Sequence, residues 1–124
     1  MRNTMSVLVV EDEPAILRIV VAVLRSLGCK TLAAPDAETA SQVVEMERPD
    51  FIIVDVRLPG MDGVQFARQV KLNEKLASTP IVIMSAYGEP RDHPGDAFLP
   101  KPFDIDQLEA TIRQYLPDAG HQAQ

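Results

Sequence analysis

The chain has 124 residues, 46% of them hydrophobic and 24% charged, which suits one packed core and is too short for two. Eighteen acids against twelve bases leave a formal charge of −6, a balance that disfavours direct contact with nucleic acid or an anionic membrane. No apolar run approaches the roughly 18 residues of a membrane span. The single Cys29 excludes an internal disulfide and fits a reducing, cytoplasmic setting.

Short apolar runs alternate with helical patterns. Ser6-Val7-Leu8-Val9-Val10 is a valine-rich stretch of the kind that forms a buried parallel strand. Pro14 suits the first turn of a helix, and Leu17, Val20, Val21, Leu24 and Leu27 recur at helical spacing up to a stop at Gly28. Thr31 to Ala34 predicts a weaker strand ended by Pro35. Asp36 then caps a helix with Ala37, Ala40 and Val44 inward. Phe51-Ile52-Ile53-Val54 is a third strand running into Asp55. After a turn over Leu58 to Gly63, the pattern predicts a helix with Val64, Ala67 and Val70 inward, its far end carrying Arg68, Lys71 and Lys75.

Ile81 to Met84 predicts a fourth strand ending at Ser85, and Ala97-Phe98-Leu99 a short fifth one before Pro100-Lys101-Pro102. The last helix has Asp104 as its cap and Ile105, Leu108, Ile112 and Tyr115 on one stripe, with a flexible tail over 117–124. Five apolar strands separated by helical patterns imply an α/β fold with a parallel sheet covered on both faces. One crossover is unusual. Only twelve residues lie between Met84 and Ala97, and Pro90 and Pro94 among them leave no room for a normal helix. The segment is expected to hold no helix or about one turn, and to be long enough to move.

Ligands of an open parallel sheet bind beyond the carboxyl ends of its strands. Those ends carry Glu11-Asp12, Asp55, Ser85 and Lys101. Three carboxylates so close repel one another unless a cation lies between them, and their hard oxygens suit Mg²⁺. An ionised aspartate beside a lysine and a hydroxyl is equipped to take a phosphoryl group. Each residue also has a duller reading. The acids at 11–13 favour the start of the first helix, Asp55 and Ser85 suit turns, and Phe98 suits the core. Their joint placement is what favours chemistry.

With these residues in view, the chain resembles the receiver domain of bacterial two-component response regulators from about Ser6 to Leu116. The resemblance rests on VLVVEDEP, FIIVDVRLPGMDG, PIVIMSAYG and FLPKPF, in that order. It implies a doubly wound, flavodoxin-like sheet of order 2-1-3-4-5 and a receiver spanning 1–116. It implies that Asp55 accepts a phosphoryl group from a histidine kinase or histidine phosphotransfer protein. Mg²⁺ would be held by Glu11, Asp12, Asp55 and the backbone carbonyl of Arg57. Lys101 would pair with the phosphoryl oxygens, Ser85 would turn inward to them, and Phe98 would act as the aromatic switch. A cis Lys101-Pro102 peptide is also implied.

The resemblance further implies a switch rather than a turnover enzyme, acting through a downstream protein or a homodimer, without nucleic acid or membrane. The chain reads as a stand-alone receiver, although Pro117-Asp118-Ala119-Gly120 also fits the start of a linker. Departures from the family pattern are the missing fourth helix, which unsettles the usual output face, and the bulky pair Arg57 and Tyr87. That pair should obstruct water and slow self-dephosphorylation. Two alternatives stand beside this reading. One is a phosphorylation-independent adaptor or dimerisation module with a vestigial pocket. The other is an aspartyl phosphatase, which would need a second acid where this chain has Arg57.

Overall fold

The computed structural model describes residues 4–116, so the tail expected over 117–124 lies outside the described residues. Strands β1 (Ser6–Val10), β2 (Lys30–Ala34), β3 (Phe51–Asp55), β4 (Ile81–Ser85) and β5 (Ala97–Pro100) pair in parallel in the order β2-β1-β3-β4-β5. Helices α1 (Pro14–Ser26), α2 (Ala37–Met46), α3 (Gly63–Leu72) and α4 (Ile105–Arg113) cover both faces.

The unbroken apolar runs explain the layering. Successive side chains leave opposite faces of a strand, so a strand buried on both sides must be apolar throughout. Leu8, Val10, Ile52, Val54, Ile81 and Ile83 pack with α2 and α3, whereas Val7, Val9, Phe51, Ile53, Val82 and Met84 pack with α1 and α4. Each fully buried large side chain of this kind contributes about 1.5–3 kcal/mol. Asp36 caps α2 by accepting the Thr39 N–H at 2.7 Å, and Asp62 and Asp104 close capping boxes with Gln65 and Gln107.

The sheet order and the caps at Asp36 and Asp104 agree with the sequence reading, and three details differ. The inward stripe of α3 is Phe66, Ala67 and Val70, with Val64 only half-buried, because the helix starts at Gly63 and turns Phe66 to the sheet. Lys75 lies beyond the end of α3. Ile105 is 53% exposed, since it occupies the first turn of α4, one turn before the buried Leu108.

No helix forms between β4 and β5, as the prolines required. Residues 86–96 instead lie against β4 and α3 through polar contacts. Asp96 donates its N–H to the Ile81 carbonyl at 2.7 Å, and its Oδ2 accepts the Ile81 N–H at 2.8 Å. Lys71 reaches Asp96 at 3.0 Å, and Arg68 donates to the Asp92 carbonyl at 3.0 Å. Gly95 rests on β4 so closely that a β-carbon there would lie 2.5 Å from Ile83 Cγ1.

Candidate functional site

The strand order places the carboxyl end of β1 beside that of β3, and β3 beside β4, so residues 11, 12, 55 and 85 meet at one edge. Lys101 follows β5 directly and donates its backbone N–H to the Ser85 carbonyl at 2.9 Å, prolonging the β4–β5 ladder. The Lys101-Pro102 peptide is cis.

Glu11, Asp55 and Ser85 are the polar residues buried as whole residues among those described, and all three belong to this edge. Lys101 Nζ lies 3.0 Å from Glu11 Oε1 and 3.2 Å from Asp55 Oδ1, with the more exposed Glu13 at 4.0 Å. Glu11 Oε2 accepts the Glu13 N–H at 3.1 Å, so both of its oxygens are engaged. One carboxylate oxygen from each of Glu11, Asp12 and Asp55 falls within 4.8 Å of the others, and Asp12 is the exposed member.

A single ammonium does not balance these acids. Burial pushes the Asp55 carboxyl above its ordinary value; Lys101 opposes the shift, and the charges of Asp12 and Glu13 add to it. Glu11 is raised by burial too, against the Glu13 N–H and Lys101. Burial works against the Lys101 ammonium, yet Glu11 and Asp55 outweigh it and hold its pKa above the usual lysine value. A further cation at this edge would relieve the imbalance.

Ser85 Oγ accepts the Tyr87 N–H at 2.9 Å, which leaves the hydroxyl hydrogen free for another acceptor. Phe98 is half-buried on β5 against the α2–α3 cluster. Three contacts went unread in the sequence, the first of them within a pair of residues that the sequence did single out. The Arg57 guanidinium stacks 4.7 Å from the centre of the Tyr87 ring, bridging the segments that follow β3 and β4. The Glu13 backbone fixes Glu11. Gly63 packs on the phosphoacceptor candidate itself, because a β-carbon there would lie 2.0 Å from the Asp55 carbonyl oxygen. The M-D-G run signalled only a turn and a helix start, since nothing local reveals what lies above that glycine.

The family model for the response regulator receiver domain matches residues 7–113. The chain belongs to this family. It is 31% identical over 117 residues to sporulation initiation phosphotransferase F of Bacillus subtilis, covering 90% of this chain and 93% of that protein. Other curated relatives are longer: the phosphate regulon regulator PhoB of Escherichia coli is 34% identical over 116 residues, and this chain spans 51% of it. Among solved structures, the receiver domain of a Pseudomonas aeruginosa sensor histidine kinase superposes with a TM-score of 0.83 at 28% identity, covering 91% of this chain and 98% of that one. That structure holds a magnesium ion coordinated in its active site cleft. This receiver carries an acidic pocket, with a carboxylate cluster suited to a metal ion. Among the described residues, no helix is long and apolar enough to cross a membrane.

Proposed function

We propose that this receiver is a phosphoacceptor switch: it takes a phosphoryl group on Asp55 from a phosphohistidine of a histidine kinase or phosphotransfer protein and signals through protein contacts. The observation that carries this reading is a buried Asp55 held 3.2 Å from Lys101 in a pocket short of positive charge. As an Asp55 carboxylate oxygen bonds to phosphorus, the donor's P–N bond breaks and its electron pair returns to the imidazole. Lys101 keeps Asp55 oriented and remains as a partner for the phosphoryl oxygens. Ser85, with its hydroxyl hydrogen free, moves to donate to one of those oxygens and gives up the Tyr87 N–H. Phe98, beside this edge on β5, is the residue we assign to transmit that movement.

The carboxylates fit Mg²⁺, which when bound supplies the missing positive charge for the acids and the transferred group. Asp12, Asp55 and the Arg57 carbonyl would hold it. Glu11, whose oxygens are already engaged by Lys101 and the Glu13 N–H, would act at one remove. The Arg57–Tyr87 stack joins the segments that follow β3 and β4, and in this reading it stands over the approach of water and slows loss of the phosphoryl group. The protein is thus a switch that assists its own modification, not a turnover enzyme, and a homodimer or a separate protein is its downstream partner.

The test is labelling with a small-molecule phosphodonor, with and without Mg²⁺, read by intact mass. Wild type is expected to gain one phosphoryl group only with the metal, and Asp55→Asn none. An unmodified wild type would instead favour the adaptor reading with a vestigial pocket. Mg²⁺ should also raise the melting temperature of the unphosphorylated protein, less at pH 5 than at pH 8, because Glu11 and Asp55 must shed protons to receive it.

A further inference from the structure

Glu38 stands on α2, a helix that lends no residue to the pocket, yet its carboxylate reaches the turn that follows Asp55. Its Oε2 accepts the Met61 N–H at 3.5 Å, from 23 residues away in the chain. Gly60 lies against the same group: a β-carbon there would fall 3.0 Å from Oε2 and 3.3 Å from Oε1. The Gly60 φ of +76° belongs to the left-handed region, which glycine enters without steric cost. We propose that Glu38 is a positioning residue: it fixes the turn over 57–62, and with it the Arg57 carbonyl that would hold Mg²⁺. The role rests on the metal reading of the pocket given above.

The backbone fixes the two ends of this turn. Val56 donates its N–H to the Met84 carbonyl at 2.9 Å, and Gly63 donates to the Val56 carbonyl at 2.9 Å. Between them, Leu58 and Met61 pack on the α2–α3 core. Apolar contact is non-directional, so it holds the turn down without setting the angle of its peptide planes. The Glu38 bond and the close fit at Gly60 are directional. Their effect reaches Arg57 because the chain between is stiff: Pro59 is locked by its ring, and Leu58 is restricted by the proline that follows. A carbonyl offered to Mg²⁺ must point within a narrow range, since this small ion demands near-octahedral geometry. Partners that orient a metal ligand from behind commonly set the affinity of a site. An acid in the first turn of α2 also favours the helix through its dipole, whatever it touches. Only the contacts to Gly60 and Met61 give Glu38 a second role, and they depend on an acceptor oxygen rather than on charge.

The experiment is Mg²⁺ titration of the uniformly ¹⁵N-labelled full chain, followed by ¹H–¹⁵N spectra at constant pH and ionic strength. Glu38 is exposed, so its variants should keep the fold, which the dispersion of the same spectra reports. Glu38→Ala should bind Mg²⁺ about tenfold more weakly, the low end of what a partner behind a metal ligand is worth. Its metal-free spectrum should already show the Arg57 and Leu58 amides displaced. Glu38→Gln keeps an acceptor for the Met61 N–H without the charge, and should restore both the shifts and nearly all of the affinity. Equal affinity in wild type and Glu38→Ala overturns the proposal. So does equal weakening in the Ala and Gln variants, which would assign the effect to the charge of Glu38. Gly60→Ala presses a methyl on the Glu38 carboxylate, and combined with Glu38→Ala it should lose less affinity than the two single changes together. Losses that simply add would give the two residues separate roles and overturn the clamp. A wild type that binds no Mg²⁺ would remove the metal reading and this role with it, an outcome distinct from equal binding by wild type and Glu38→Ala.

Discussion

β4 is bounded by two lysine–aspartate pairs of nearly equal length and opposite character. At its carboxyl end Lys101 lies 3.2 Å from Asp55, with side chains 9% and 5% exposed. Beyond its amino end Lys71 lies 3.0 Å from Asp96, with side chains 23% and 41% exposed. The distances do not separate them; the surroundings do. Asp96 also accepts the Ile81 N–H, so its charge is spread over a backbone donor and a half-solvated lysine, and the pair serves the fold. Asp55 shares Lys101 with Glu11, and burial leaves both acids raised above their ordinary pKa. A pair that is poorly compensated is a weak way to hold a fold and a good way to hold a place for a cation and an anion.

Removing each lysine or its partner tests that contrast. Lys101→Met should have the largest effect, about 3 kcal/mol or more at pH 8 by urea unfolding, because two buried carboxylates lose their ammonium. Acids whose folded pKa is raised bind more protons folded than unfolded, so they cost stability as pH rises through that window. The deficit should therefore shrink toward pH 5, and a deficit that does not change with pH would break the contrast. Gly63→Ala should come next, at about 2–3 kcal/mol, since the new methyl must displace the Asp55 backbone. Its ¹H–¹⁵N spectrum should change around Asp55 more than around Asp96.

Asp96→Ala should cost less, about 1–2 kcal/mol, for the lost Ile81 bond, with little pH dependence between 5 and 8. A loss as large and as pH-dependent as that of Lys101→Met would erase the difference between the two pairs. The smallest stability effect is expected for Arg57→Asn, under about 0.5 kcal/mol, since the stack lies on a Tyr87 that is 74% exposed. Its phosphoaspartate should nevertheless decay about tenfold faster, equivalent to ~1.4 kcal/mol in barrier. Rapid decay already in the wild type would remove Arg57 and Tyr87 as a shield.

The elements were legible wherever a residue's role depends on near neighbours. Alternating short apolar runs and helical stripes placed all five strands, and Asp36 and Asp104 announced their helices through side chains that reach only three residues ahead. The prolines at 90 and 94 foretold the missing helix because each acts on its own backbone. The reading failed at Ile105, where periodicity assigned a face correctly but could not show that the first turn of α4 stands clear of the core. It also passed over Phe66, whose burial depends on where Gly63 starts the helix.

The candidate site divides in the same way. Glu11, Asp12, Asp55, Ser85 and Lys101 stood out because parallel strands bring their carboxyl ends to one edge, so residue type and position at a strand end suffice. What those residues do to one another depends on distances across ninety residues of chain. The tertiary structure alone decided that Lys101 is shared between Glu11 and Asp55, that Arg57 lies over Tyr87, and that the Gly63 backbone presses on Asp55. It likewise turned His93, a lone histidine without a partner pattern in the sequence, into a buried ring between Glu89 and Gly95. Periodicity and capping act through local geometry and are written in order along the chain. Burial, charge sharing and backbone contact arise only when distant segments exclude water together.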